Sequence, residues 1–580
     1  MNKRQYKRVS LASILFVFLA AISCKDSFLN VPATGSLANA QLTTAAGVQG
    51  ALLGAYHMLL GNGDWFSGPD GWIWGSIVGG EANKGSNNGD QAVIQPIERY
   101  ETLATSAPLE SVWQGRYEGI ARTNSVLRLL KTPDPSVTPA IAAEVTAEAR
   151  FLRGHYYFDL KRMYGNTPYV DESVDYGTGI EKVGNGADLY PTIEADFNAA
   201  IAGLPATQAQ VGRPNKWAAM AYLAKVYMYE GKFAAAKALY DQIIPNGVTS
   251  GGTKYALVKG YANIFKASNN NNSEAVFSVE AAAGTGSVNN ANAWDVLNYP
   301  YNTGSNGPAG CCGFFQPTFS FANTFRTTAA GLPLLDGSFN SPANALVTDQ
   351  GLLSSAPFTP DSGPLDPRLD HTVGRRSIQY LDWQPHPGAD WIRDQTFSGP
   401  YAPKKFVYYK SDKGTLTDES GWTSGYATMN YNIIRFADVL LMAAEAEVEV
   451  GSLETARGYV NQVRARAADP TTWVMNGKNP AANYVISTYT TPWTDKTAAR
   501  TAVRFERGLE LGMEGHRFFD LVRWGVADVI LNAYLAYDGA ILTVQFGGAK
   551  FTKGKNEIFP VPQAEIDLTG SSILKQNPGY

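Results

Sequence analysis

The 580-residue chain has little cysteine, little histidine and little charge, and each shortage removes a class of protein. Cys24, Cys311 and Cys312 are its only cysteines, too few for the disulfide framework that small secreted domains use. Five histidines are scattered, with no H-E-x-x-H pair, so no zinc site is expected. No G-x-S-x-G nucleophile elbow occurs. Charged residues are 17% of the chain and the net charge is −4, which leaves no basic field for nucleic acid. Past Cys24 no apolar run reaches the roughly 20 residues needed to cross a bilayer as a helix. What the chain does have is aromatic residues, 12% of the total, with 30 Tyr and 12 Trp. Most such rings fill cores, but they also stack on flat apolar ligand faces, sugars included.

The N-terminus reads as an export signal. Lys3, Arg4, Lys7 and Arg8 precede an apolar run over residues 11–21, and Ala21, Ile22 and Ser23 lead to Cys24. A cysteine at the cleavage point makes this a bacterial lipoprotein signal, with Cys24 lipidated and first in the mature chain. Two or more acyl chains anchor stably, each buried methylene contributing about 0.8 kcal/mol. Ala21 departs from the usual signal, which has Leu three places before the cysteine. The expected organisation is a signal peptide over 1–23, a lipidated tether over 24–40 and a single body over 41–580.

Within the body, helices are expected over 44–60, 113–130, 140–164 and 498–524, from apolar residues at spacings of three and four. Residues 61–89 read as a Gly/Asn-rich loop holding Trp65, Trp72 and Trp74, and the C-terminal tail as extended. Over 213–245, Leu223, Ala224, Tyr227, Gly231, Phe233, Ala236 and Tyr240 match the tetratricopeptide helix pair. Ala443, Ala444, Gly451, Leu453, Ala456 and Val460 repeat the pattern, with Glu447 in place of the Tyr. The two copies are too far apart in sequence for a tandem array. The fold class is therefore mostly α: helix pairs form a scaffold over about 41–245 and 431–535, interrupted by a loop-rich insertion over about 246–430. Residues 275–279 and 406–409 are its candidate short strands.

The insertion carries the candidate ligand-binding residues, because long loops on a rigid scaffold are where such residues gather. Trp294, Tyr301 and Phe314 flank Cys311 and Cys312, and Trp383, Trp391 and Arg393 follow. The adjacent cysteines are either two thiols or a vicinal disulfide. Aromatic faces interleaved with arginines suit a sugar, which offers apolar faces and hydroxyls together. The competing reading places several of these rings in a small satellite core.

Catalytic signals are weak. Glu510 and Glu514, one helical turn apart, form a candidate hydrolase pair, but Arg507 and Arg517 on the same helix favour an ion-pair row. Asp366, Asp370, Asp382, Asp390 and Asp394 lack calcium-loop spacing. Residues 548–555 fail the phosphate-loop spacing and read as a surface loop. No catalytic residue, metal or cofactor is expected.

A series of ordered blocks resembles the SusD/RagB outer-membrane nutrient-uptake lipoproteins of Bacteroidetes. They include Cys24 with Phe28-Leu29-Asn30, and Ala147-Glu148-Ala149-Arg150-Phe151-Leu152-Arg153 leading to Tyr164-Gly165-Asn166-Thr167-Pro168. Asn430-Tyr431-Asn432-Ile433-Ile434-Arg435-Phe436-Ala437-Asp438 follows, then Glu514-Gly515-His516-Arg517-Phe518-Phe519-Asp520-Leu521, and at the end Gln576-Asn577-Pro578-Gly579-Tyr580. The resemblance implies a tetratricopeptide-like fold and a lipid anchor at the outer-membrane surface. It also implies a partnership with a SusC-like TonB-dependent transporter, with the protein as a hinged lid holding an oligosaccharide or, alternatively, a peptide. These blocks are scaffold, so they carry no ligand site with them.

Overall fold

Helices start where a short polar side chain can take up a free backbone N–H. The side chains of Thr44, Thr138, Asn215, Ser452 and Asp495 accept such bonds at the starts of five helices. Pro108, Pro139 and Pro191 occupy first-turn positions, where the missing N–H costs nothing. The computed structural model describes residues 39–308 and 311–580. Cys24, the leader and most of the tether lie outside the described residues.

The main helices are α1 (Ala45–His57), α2 (Ala107–Leu129), α3 (Pro139–Tyr164), α4 (Tyr190–Gly203), α5 (Lys216–Tyr229), α6 (Phe233–Asn246), α7 (Phe436–Val450), α8 (Leu453–Ala467), α9 (Lys496–Leu511), α10 (Arg517–Arg523), α11 (Ala527–Ile541) and α12 (Gln563–Thr569). Each of α1–α9 packs on neighbours in a continuous array, with α6 against α7. The two tetratricopeptide-like pairs, α5–α6 and α7–α8, are thus neighbours in space despite nearly 190 intervening residues. Lys225 Nζ lies 3.1 Å from the Asp438 carboxylate, and the Tyr240 hydroxyl donates to Met442 Sδ across the joint. Among the described residues, no helix is long and apolar enough to cross a membrane.

Four expectations change. The helix expected over 498–524 breaks between α9 and α10, where Met513 and Gly515 take positive φ. A Cβ at Gly515 would lie 2.0 Å from the Asp70 carbonyl, so the break lets two backbones meet. Residues 61–89 are not all loop: they hold a π-helical turn at Trp72–Ile77 and strand β1 (Ala82–Gly85). The tail contains α11 and α12. Residues 406–409 form no strand, while Ala275–Val279 does (β2).

Strands are few and short. β1 pairs antiparallel with β3 (Phe314–Pro317), in the register Asn83 to Gln316. β2 pairs with β4 (Tyr431–Arg435), tying the two ends of the 246–430 segment together just where α7 begins.

Candidate functional site

The stretch 287–317 organises the loop-built side of the molecule. The turn at Ala293–Asp295 seats Trp294 against the backbone of Gly68, where any Cβ would meet the indole's Cβ at 2.6 Å. Trp294 and Trp65 line a cleft of about 240 Å³, shared with Asp64, Asn289, Asn290 and Tyr426. Asn290 Nδ2 is held 2.9 Å from Thr285 Oγ1, whereas the Asn289 side chain is exposed. Trp422, 63% exposed, precedes Tyr426 in the same loop. Beneath the cleft, Asp70 and Asp295 are both buried, and burial raises both carboxyls, that of Asp295 to about 6.

On the other flank, half-buried Tyr301 lies 5.2 Å from the Arg393 guanidinium. Arg393 is itself fixed by ion pairing to Asp90 and by Ser86 Oγ at 2.9 Å. Lys84 shapes that loop. Its ammonium, buried until its pKa falls to about 8, donates to the carbonyls of Gly85, Asn87 and Asp90. Cys311 is half-buried, Cys312 buried, and the structure pairs them as a vicinal disulfide beside this platform. Gly313, the next residue, approaches Tyr301 and Arg393.

The expected ligand residues therefore fall into three groups. Tyr301, Cys311 and Arg393 are partly exposed and gather about Gly313, with Cys312 buried beside them. Trp294 lines the cleft while 98% of its surface is covered by the core. The rest is packing: Phe314 is fully buried in β3, and Trp391 joins Tyr299, Tyr380 and Tyr408 in a satellite core against which Trp383 packs. Trp65, Asn289, Asn290 and Tyr426 were not singled out as site residues from the sequence. Trp65 was visible in its Gly/Asn-rich loop, but nothing local shows that 61–65 and 287–296 face each other.

The remaining chemical candidates resolve into structure. Glu510 and Glu514 are buried, and their partners are not those expected. Glu510 meets Arg368, Arg435 and Arg466, and Glu514 meets Arg435 and Lys405, while Arg507 turns to Asp438 and Asp520. Burial acts to raise both carboxyls, yet the surrounding cations hold them below the usual range. Neither is free to exchange a proton with a substrate. In the acidic series, Asp366 pairs with Arg368, Asp370 with Arg375, and Asp394 caps a short helix. Among the described residues no group of three or more His, Cys, Asp or Glu is placed to hold a metal.

A helical-repeat scaffold carrying a loop-built cleft is the architecture these observations define. A profile of the SusD family matches residues 273–580, and another, described as starch-binding and associating with the outer membrane, matches residues 80–228. The chain belongs to the SusD family. SusD-like protein P25 of Formosa agariphila is 24% identical over 88% of this chain and 89% of its own. The starch-binding protein SusD of Bacteroides thetaiotaomicron is 23% identical over 77% of this chain and 74% of its own. Among solved structures, a laminarin-binding SusD-like protein covers 92% of this chain and 99% of its own, at 26% identity and a TM-score of 0.65.

Proposed function

We propose that this chain is a surface-exposed glycan-binding lipoprotein of the outer membrane, anchored through Cys24, which acts as the lid of a SusC-like TonB-dependent transporter importing oligosaccharides. The observation that carries the binding role is a cleft whose half-buried Trp65 is its accessible ring, backed by the buried Trp294 and Tyr426 and edged by Asn289 and Asn290, set on a SusD scaffold. Rings offer a face to the C–H surface of a pyranose, and side-chain amides both donate to and accept from its hydroxyls. Relatives described as starch-binding and laminarin-binding support the same ligand class. The Tyr301–Arg393 platform with Cys311 is the neighbouring surface that completes the site.

Calorimetric titration against a panel of polysaccharides, laminarin and starch included, and of peptides tests this reading. Glycan binding that weakens at least about tenfold in Trp65→Ala is the expected result. Peptide binding with no glycan binding would move the ligand class and leave the lid role standing. The anchor is tested separately: Cys24→Ala is expected to abolish palmitate labelling and to release the protein from the membrane fraction. Co-purification with a TonB-dependent transporter tests the lid.

A further inference from the structure

The turn that follows α1 has a cavity on each side. His57, Gly61 and Gly63 line the Trp65–Trp294 cleft, and the same three residues line a second cavity of about 800 Å³. The turn is thus a ridge between two openings. At Gly63 the crest is bare, and a Cβ built there would meet no atom within 4 Å.

The second cavity has the same kind of wall as the first. Tyr117 and Tyr176 supply rings, and their orientations are fixed. The Tyr117 hydroxyl donates to the Pro168 carbonyl at 2.7 Å, and Asn124 Nδ2 holds the Tyr176 hydroxyl at 3.1 Å. Polar groups stand among these rings. Gln114 lines the cavity, and Arg122 Nε bonds Glu118 Oε1 at 2.7 Å. Its volume lies within the range of about 300–1,000 Å³ typical of ligand sites, whereas the first cleft falls below it.

We propose that the two cavities are subsites for one ligand, a linear oligosaccharide that crosses the bare ridge at Gly63 and rests sugar units against Tyr117 and Tyr176. This rests on the carbohydrate reading above and adds to it a chain-length requirement. A disaccharide fills one opening only. A longer chain engages both, and the second contact then forms within a complex already made, which raises affinity without any new chemistry.

The test is titration of the protein with di- to hexasaccharide fragments of each glycan in the panel, using two variants. Ala121→Trp places an indole in the second cavity, and Tyr176→Ala removes a wall ring that is 37% exposed. The expected result is affinity rising about tenfold or more from disaccharide to hexasaccharide. That gain is lost in both variants, whose hexasaccharide affinity falls to that of the disaccharide. Should Ala121→Trp fail to fold, as judged by circular dichroism, Tyr176→Ala decides alone. Glycan binding that is indifferent to length, or a length dependence that survives the variants, overturns the two-subsite proposal and leaves the carbohydrate reading intact. Absence of binding to every glycan overturns that reading as well.

Discussion

Glu81 shows how one residue can carry a pH dependence. It lies just before β1, 3% exposed, and its Oε2 accepts the Met513 N–H at 2.8 Å. It thereby ties the segment entering β1 to the break between α9 and α10. Burial raises its carboxyl from 4.5 to about 7. The folded state therefore holds a proton that the unfolded chain gives up at lower pH. The stabilisation is complete below about 4.5 and is lost as pH rises through about 7. Glu81→Gln keeps an acceptor for Met513 and cannot ionise. Thermal melts at a series of pH values are expected to show a flatter stability curve in the variant between those two values. An unchanged slope would mean that Glu81 is already ionised in the fold.

The two helix pairs show how one sequence pattern is satisfied by different physics. Gly231 turns α5 into α6 at φ +71, and a Cβ there would meet nothing, so Gly231→Ala is expected to cost only the backbone term, about 1 kcal/mol. Gly451 turns α7 into α8 at negative φ. There a Cβ would meet Glu447 Oε2 at 1.9 Å. That carboxylate is not free to move away: it accepts the Ser452 N–H at 2.7 Å and pairs with Lys237 of α6 at 2.9 Å. Glu447 departs from the repeat pattern because it does a different job, capping the turn and bridging the pairs. Gly451→Ala is therefore expected to destabilise more than Gly231→Ala, and less in an Glu447→Ala background, a non-additivity that denaturant titration of the double-mutant cycle reads directly. Elements such as these were legible where period and caps coincide. α4 and α11 were legible too and were missed: Ile193, Asp196, Phe197 and Ala200, and Leu531, Tyr534, Leu535 and Asp538, recur at helical spacing on buried faces. The break after α9 was legible only in part: Gly512 and Gly515 stand there in the sequence, but the approach of Asp70, more than 400 residues away, does not show in it.

At the scale of the whole molecule, buried charge joins what the sequence separates. Glu510 of α9 receives Arg368 from the loop-rich segment, Arg435 from β4 and Arg466 from α8. Arg435 also meets Glu274 and Glu514, Lys405 meets Glu514, and Arg368 meets Asp366 and Glu506. The helical period predicted that Glu510 would find a cation, but local spacing pointed to Arg507, since the true partners are recruited by the tertiary fold. The same limit hid the cleft, whose two walls come from residues 57–65 and 287–296. Such a network need not add net stability over an apolar core, but removing one member strands the others, at about 3–5 kcal/mol. Glu510→Gln is expected to lower the thermal transition accordingly. Because Arg368 and Arg466 lose the same partner, backbone hydrogen exchange is expected to quicken together in α8, in α9 and around Arg368. Quickening confined to α9 would show that the loop-rich segment is held to the scaffold by other contacts. Coupled quickening would show that the loop-rich segment around Arg368 shares one stability with the helices that carry it.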